Sequence, residues 1–203
     1  MLFDVTRGEL AGIFGEGRIA TLPAGAFPPA AADAEGARLL QTVGVPTGTL
    51  LLRQPGEDDG LLPLVQHVVH IEDFEEAAEG AGDWPVIGWL LNAHLALDPV
   101  SGKVHAFDPD EETVRELHTD VSSLVQVTRR FQRLLEAFTF SGDEEADFER
   151  LDGEVDRIRE ETSSTDPLPF QDDETVWSAV GDEIAMGQRF KGSTPGACEK
   201  DAS

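Results

Sequence analysis

The chain has 203 residues, with 40 acids against 15 Lys and Arg and a formal charge of −25. That balance argues against direct nucleic-acid binding, which needs a basic face, and equally against an anionic membrane surface. Hydrophobic residues make up 40% of the chain, enough for one real core.

The longest apolar run, residues 86–91, is far short of the ~20 residues that span a bilayer. The first ten residues hold no basic stretch followed by an apolar one, so no secretory leader is read. The single cysteine, Cys198, cannot form an internal disulfide. The expected compartment is therefore a reducing cytoplasm. The charge is uneven: residues 1–60, 61–140 and 141–203 carry net −4, −9 and −12. The plain reading of this acidity is solubility. The sharper one is a basic partner, drawn by the field to the middle and last thirds of the chain.

Taken in order, Thr6 and Glu9 have capping-box spacing, and Leu10, Ile13 and Phe14 come after them at helical intervals. A first short helix ends near Gly15. Residues 18–22 read as extended, and Pro23, Pro28 and Pro29 interrupt any regular element over 23–29. Residues 35–43 read as a second helix, with Gly44 as a left-handed cap. Strands are predicted at 49–53, 64–71, 84–91, 93–98 and 103–107. Residues 54–60 form a polar loop, and residues 72–82 an acidic connection. Asp98-Pro99-Val100-Ser101-Gly102 is a hairpin turn, because proline presets one dihedral and glycine accepts positive φ. The remainder looks helical.

Asp120, Ser122 or Ser123 caps a helix whose apolar side is Leu124, Val127, Phe131, Leu134, Leu135 and Phe138. Residues 144–161 give a second pattern, with Phe148, Leu151, Val155 and Ile158 on one side and mostly acids on the other. Asp172 or Asp173 caps a last helix carrying Trp177, Val180 and Ile184. Helices, then hairpin-linked strands, then helices make an α+β chain rather than a βαβ one. The expected fold is an antiparallel β-sheet of about five to six strands, packed with N-terminal and C-terminal helices. It forms one domain over 1–190, with an acidic helical insertion at 143–162 and a disordered tail at 191–203.

No catalytic motif stands in its required context. His67 and His70, three apart on a predicted strand, point to opposite faces and could share a metal only if the segment were helical. His94 and His105 lie in facing strands, with no third ligand suggested. The acids from Asp108 to Glu112 lack the alternating ligands and central glycine of a calcium loop. Gly15-Glu16-Gly17 comes after a helix rather than a strand, unlike a dinucleotide fingerprint. The chain is accordingly read as neither an enzyme nor a metal or cofactor protein. Trp84, Trp89 and Trp177 are read as packing residues.

Trp84-Pro85-Val86-Ile87-Gly88, followed by Leu97-Asp98-Pro99-Val100-Ser101-Gly102-Lys103-Val104, resembles the SUKH superfamily of bacterial immunity proteins. Leu117-His118-Thr119-Asp120-Val121-Ser122-Ser123-Leu124 looks like the helix start of its fourth subgroup. Asp166-Pro167, Trp177 and Glu183-Ile184 fit its C-terminal helix, so the resemblance covers most of residues 10–190. It implies a non-catalytic antitoxin that binds a cognate toxin domain, often one acting on nucleic acid. Such a toxin needs a basic face, which an acidic inhibitor meets fast. The loop acids Glu57, Asp58, Asp59, Asp108, Asp110, Glu111 and Glu112 are the expected toxin-facing residues. The competing reading is an adaptor of the same fold with a non-toxin partner.

Overall fold

The computed structural model describes residues 1–190, so the expected tail at 191–203 lies outside them. Helix α1 (Arg7–Phe14) opens on the capping box: Thr6 Oγ1 accepts from the Glu9 N–H at 3.3 Å, and the Thr6 N–H donates to Glu9 Oε2 at 3.0 Å. Strand β1 (Ile19–Ala20) pairs antiparallel with β2 (Val45–Pro46) across helix α2 (Glu35–Thr42). Gly44 closes α2 at φ +80°, donating its N–H to the Leu39 carbonyl at 3.1 Å.

A Cβ on Gly44 would stand 2.3 Å from the Ala20 carbonyl oxygen, on backbone that cannot yield. Gly44→Ala therefore combines a left-handed φ with a clash. It is expected to lower stability by about 1–3 kcal/mol in chemical denaturation. An unchanged midpoint would contradict that placement.

Strands β3 (Leu51–Leu52), β4 (Val86–Leu90), β5 (Ala93–Leu97), β6 (Val104–Asp108) and β7 (Thr113–His118) form one antiparallel sheet in sequence order. Helices α3 (Val121–Ala137), α4 (Glu144–Ser163) and α5 (Val176–Ala185) complete the chain order. The architecture is thus the expected α+β one.

Three local expectations are corrected. The β-branched run at 64–71, with His67 and His70, is not a strand. It forms two short 3-10 turns, Val65–His67 and Ile71–Asp73. Pro63 and Pro85 lack the N–H groups a ladder would need here, so only an isolated bridge, Leu64 to Pro85, forms. Residues 113–118, expected within a helical remainder, are instead edge strand β7. Its Arg115 and Glu116 mark an open edge kept polar. The cap of α5 is Thr175 and not an aspartate: its Oγ1 accepts from the Ser178 N–H at 3.2 Å. Asp172 is taken up by the Glu174 N–H and by Arg115.

The sheet is buried unequally on its two faces. Ile87, Leu95, Leu97 and Val104 join a core with Leu10 of α1, Leu40 of α2, Phe131 of α3 and Trp177 of α5. Leu151, Val155 and Ile158 of α4 belong to the same core, so the acidic segment 143–162 packs on the body through its apolar side. On the other face, Ala96 and Phe107 meet Val65, Val69, Phe74 and Trp84 from the 64–84 segment. That segment covers only part of the face, and an open groove lies beside it.

Candidate functional site

The groove has a volume of 900 Å³. One wall is the turn carrying Asp73, Glu75 and Glu76; the other is the turn between β6 and β7 with Glu111 and Glu112. Glu116 of β7 and Asp172 complete an acidic lining. Arg115 also borders the groove, but its guanidinium is bound to Asp172 at 2.8 Å and to Glu174. Lys103 holds Glu116 at 2.7 Å. No such counter-cation holds Glu75, Glu76, Glu111 or Glu112 within 4 Å among the described residues. Their charges face solvent and are open to a basic partner.

The register explains the floor. His105 stands opposite Glu116 and Ala96, and Phe107 opposite Val114 and His94, so alternate residues of β6 point to this face. The His105 ring lies 4.6 Å from that of Trp84 and is largely buried. Its Nε2 has no hydrogen-bond partner among the described residues. Burial holds the imidazole below its usual pKa, and Glu116 and Asp98 oppose that shift only in part. His105 is therefore neutral at pH 7, beneath a rim of carboxylates. His94 opposes Phe107 and not His105, so the two histidines are not directly paired. No group of three or more His, Cys, Asp or Glu among the described residues is arranged to hold a metal.

The seven loop acids named from the sequence separate into three groups. Glu111 and Glu112 line the groove. Glu112 holds φ +52°, a left-handed backbone that glutamate seldom adopts and that the tight turn imposes. Asp108 and Asp110 build that turn. Asp108 Oδ1 accepts from the N–H groups of Asp110 at 2.9 Å and Glu111 at 3.3 Å, and Asp110 Oδ2 accepts from Asn92 Nδ2 at 3.0 Å. Glu57, Asp58 and Asp59 sit elsewhere. Their loop leaves β3, the edge farthest from β7, at the end of the sheet where β4 begins. The β6–β7 turn is at the opposite end. Sequence reasoning does not single out Asp73, Glu75, Glu76 or Glu116, and it reads Asp172 only as a helix cap. The density of acids at 72–79 is visible in the sequence, but nothing local places it against β7.

A model of the SUKH-4 immunity protein family matches residues 5–183, from the capping box of α1 into α5. The chain belongs to the SUKH-4 immunity protein family. No curated protein and no solved structure matches it. Helix α4 lies between the bounds of that match, and in this SUKH-4 protein its apolar side is part of the core. No helix among its described residues is long and apolar enough to cross a membrane.

Within the matched span, a buried polar network joins the end of β7 to helices α3 and α5 and to the connection after α4. The Trp177 indole N–H donates to His118 Nε2 at 2.7 Å, and His118 Nδ1 meets Ser123 Oγ at 2.9 Å. Because Nε2 accepts, the proton of the neutral ring is on Nδ1. Asp166, fully buried, accepts from the Thr119 N–H and hydroxyl at 3.0 and 2.8 Å. Three of the sequence segments carrying the family resemblance meet here, and their hydrogen bonds tie the end of β7 to α3 and α5.

Proposed function

We propose that this SUKH-4 protein neutralises a cognate toxin domain of a bacterial polymorphic toxin system by seating a basic surface of that domain in the acidic groove. The observation that carries the reading is the set of carboxylates of Glu75, Glu76, Glu111 and Glu112, without an ion pair among the described residues, around one 900 Å³ groove. In this reading the inhibitor competes with the toxin's own polyanionic substrate, which is why the toxin is one that acts on nucleic acid in the cytoplasm. Asp108 and Asp110 present the turn. Glu57, Asp58 and Asp59 extend the acidic field and act on encounter rate rather than on the seated complex.

The test is a dissociation constant for the chain and the product of its neighbouring gene, taken at low and at physiological salt. Association that weakens with salt, together with stoichiometric loss of the partner's activity, is the expected result. Absence of binding refutes the reading. Binding without loss of activity favours an adaptor instead.

A further inference from the structure

We propose that the groove between α3 and α4 is a second docking site, one that takes a short acidic, partly apolar segment of a protein partner. It has a volume of 690 Å³ and shares no residue with the acidic groove. Arg129, Arg130 and Arg133 enter it from α3, and Arg150 and Arg157 from α4. A third of all the Lys and Arg of a chain with net charge −25 thus converges on one place, where only two glutamates line the same groove.

Those two glutamates, Glu154 and Glu161, show what the arginines accept. Glu161 bridges Arg130 at 3.4 Å and Arg157 at 3.2 Å, and Glu154 also binds Arg157. Arg150 is held by Asp147 at 2.8 Å. Arg129 and Arg133, one turn apart on α3, have no carboxylate within 4 Å among the described residues. The internal acids therefore leave the groove with surplus positive charge. Partial burial holds Arg130 below the usual guanidinium range; Glu161 opposes that shift, and the crowding of Arg129 and Arg157 adds to it. A bound anion relieves that crowding.

The chemistry of the walls and floor selects the occupant. Guanidinium forks match carboxylates bidentately. The floor is apolar, with Leu134 and Ile158 buried and Phe138 lying 4.7 Å beneath the Arg150 guanidinium. A segment alternating carboxylates with apolar side chains satisfies both. A nucleic acid does not. It carries a charge every ~1.7 Å of duplex and would run off the arginines onto the acidic outer side of α4, with Glu145, Glu149, Asp152 and Asp156.

The probe is a fluorescent peptide of alternating Glu and Leu, titrated by anisotropy against the full chain, beside a single-stranded oligonucleotide. Expected are peptide binding that weakens with salt, about a tenfold loss in Arg129→Glu/Arg133→Glu, and no change in Glu111→Lys/Glu112→Lys. Arg133→Glu alone, at an exposed position, gives the same direction should the double variant fold poorly. No peptide binding, binding indifferent to the arginine changes, or tighter binding of the oligonucleotide each overturns the proposal. No toxin is used, so this result stands or falls apart from the toxin-docking reading.

Discussion

Trp177→Ala is expected to lower stability by about 3–5 kcal/mol, the range for deleting a large aromatic from a core. Trp177 is fully buried and stacks on Phe131 at 5.5 Å between ring centroids and 18° between planes. The cost is more than a cavity. Removing the indole N–H leaves His118 Nε2 buried without a donor, which adds desolvation to lost packing. Trp177→Phe keeps most of the stack and loses the hydrogen bond, so it is expected to fall between the native chain and the alanine variant. Denaturant midpoints measure both. An alanine variant within about 1 kcal/mol of native would contradict the anchoring role of this network.

The second large effect is a loss of stability in mild acid. Burial lowers the His118 pKa from 6.5 to about 3, outweighing the opposing pull of Asp166 and Asp120. The unfolded chain takes up a proton as pH falls through 6.5, and the folded chain does not until about 3. The stability associated with neutral His118 is therefore complete above pH 6.5 and is lost progressively below it. The slope approaches about 1.4 kcal/mol per pH unit for one histidine. His94 and His105, both also lowered by burial, contribute with the same sign.

The interval from about pH 6.5 to 5 isolates this effect, because ordinary carboxylates are still ionised there. His118→Gln can still accept from Trp177 but does not titrate. Its stability is expected to be flatter across that interval than the native chain's. Equal slopes would show that His118 is not the group responsible.

Some of this structure is legible in the sequence and some is not, for identifiable reasons. The Thr6–Glu9 cap, the apolar stripe of α3 and the Asp98–Gly102 hairpin are set by neighbouring residues, and all form. Residues 64–71 resemble a strand because Val65, Val68, Val69 and Ile71 favour one. Whether a ladder forms depends on two prolines, one of them well beyond the run, and those prevent it. Strand β7 is hidden because its two faces carry charge toward solvent at the sheet edge, which leaves little apolar alternation.

The candidate site is half legible. Glu111 and Glu112 stand out as loop acids, whereas Glu75 and Glu76 join them only through tertiary folding over Phe107. The arginine groove is invisible for a different reason. A net charge of −25 conceals a local excess that arises only when two helices, separated by a turn, lie side by side.

The most direct measurement is the affinity of a triple variant, Glu75→Lys/Glu76→Lys/Glu112→Lys, for the toxin domain encoded beside it. All three side chains are exposed and bear no internal ion pair among the described residues, so the fold is kept. If a basic toxin surface sits in this groove, three reversals at roughly 1 kcal/mol each weaken binding about a hundredfold, and neutralisation fails at stoichiometric ratios. Unchanged affinity and full neutralisation by the triple variant would contradict the groove as the toxin-docking surface.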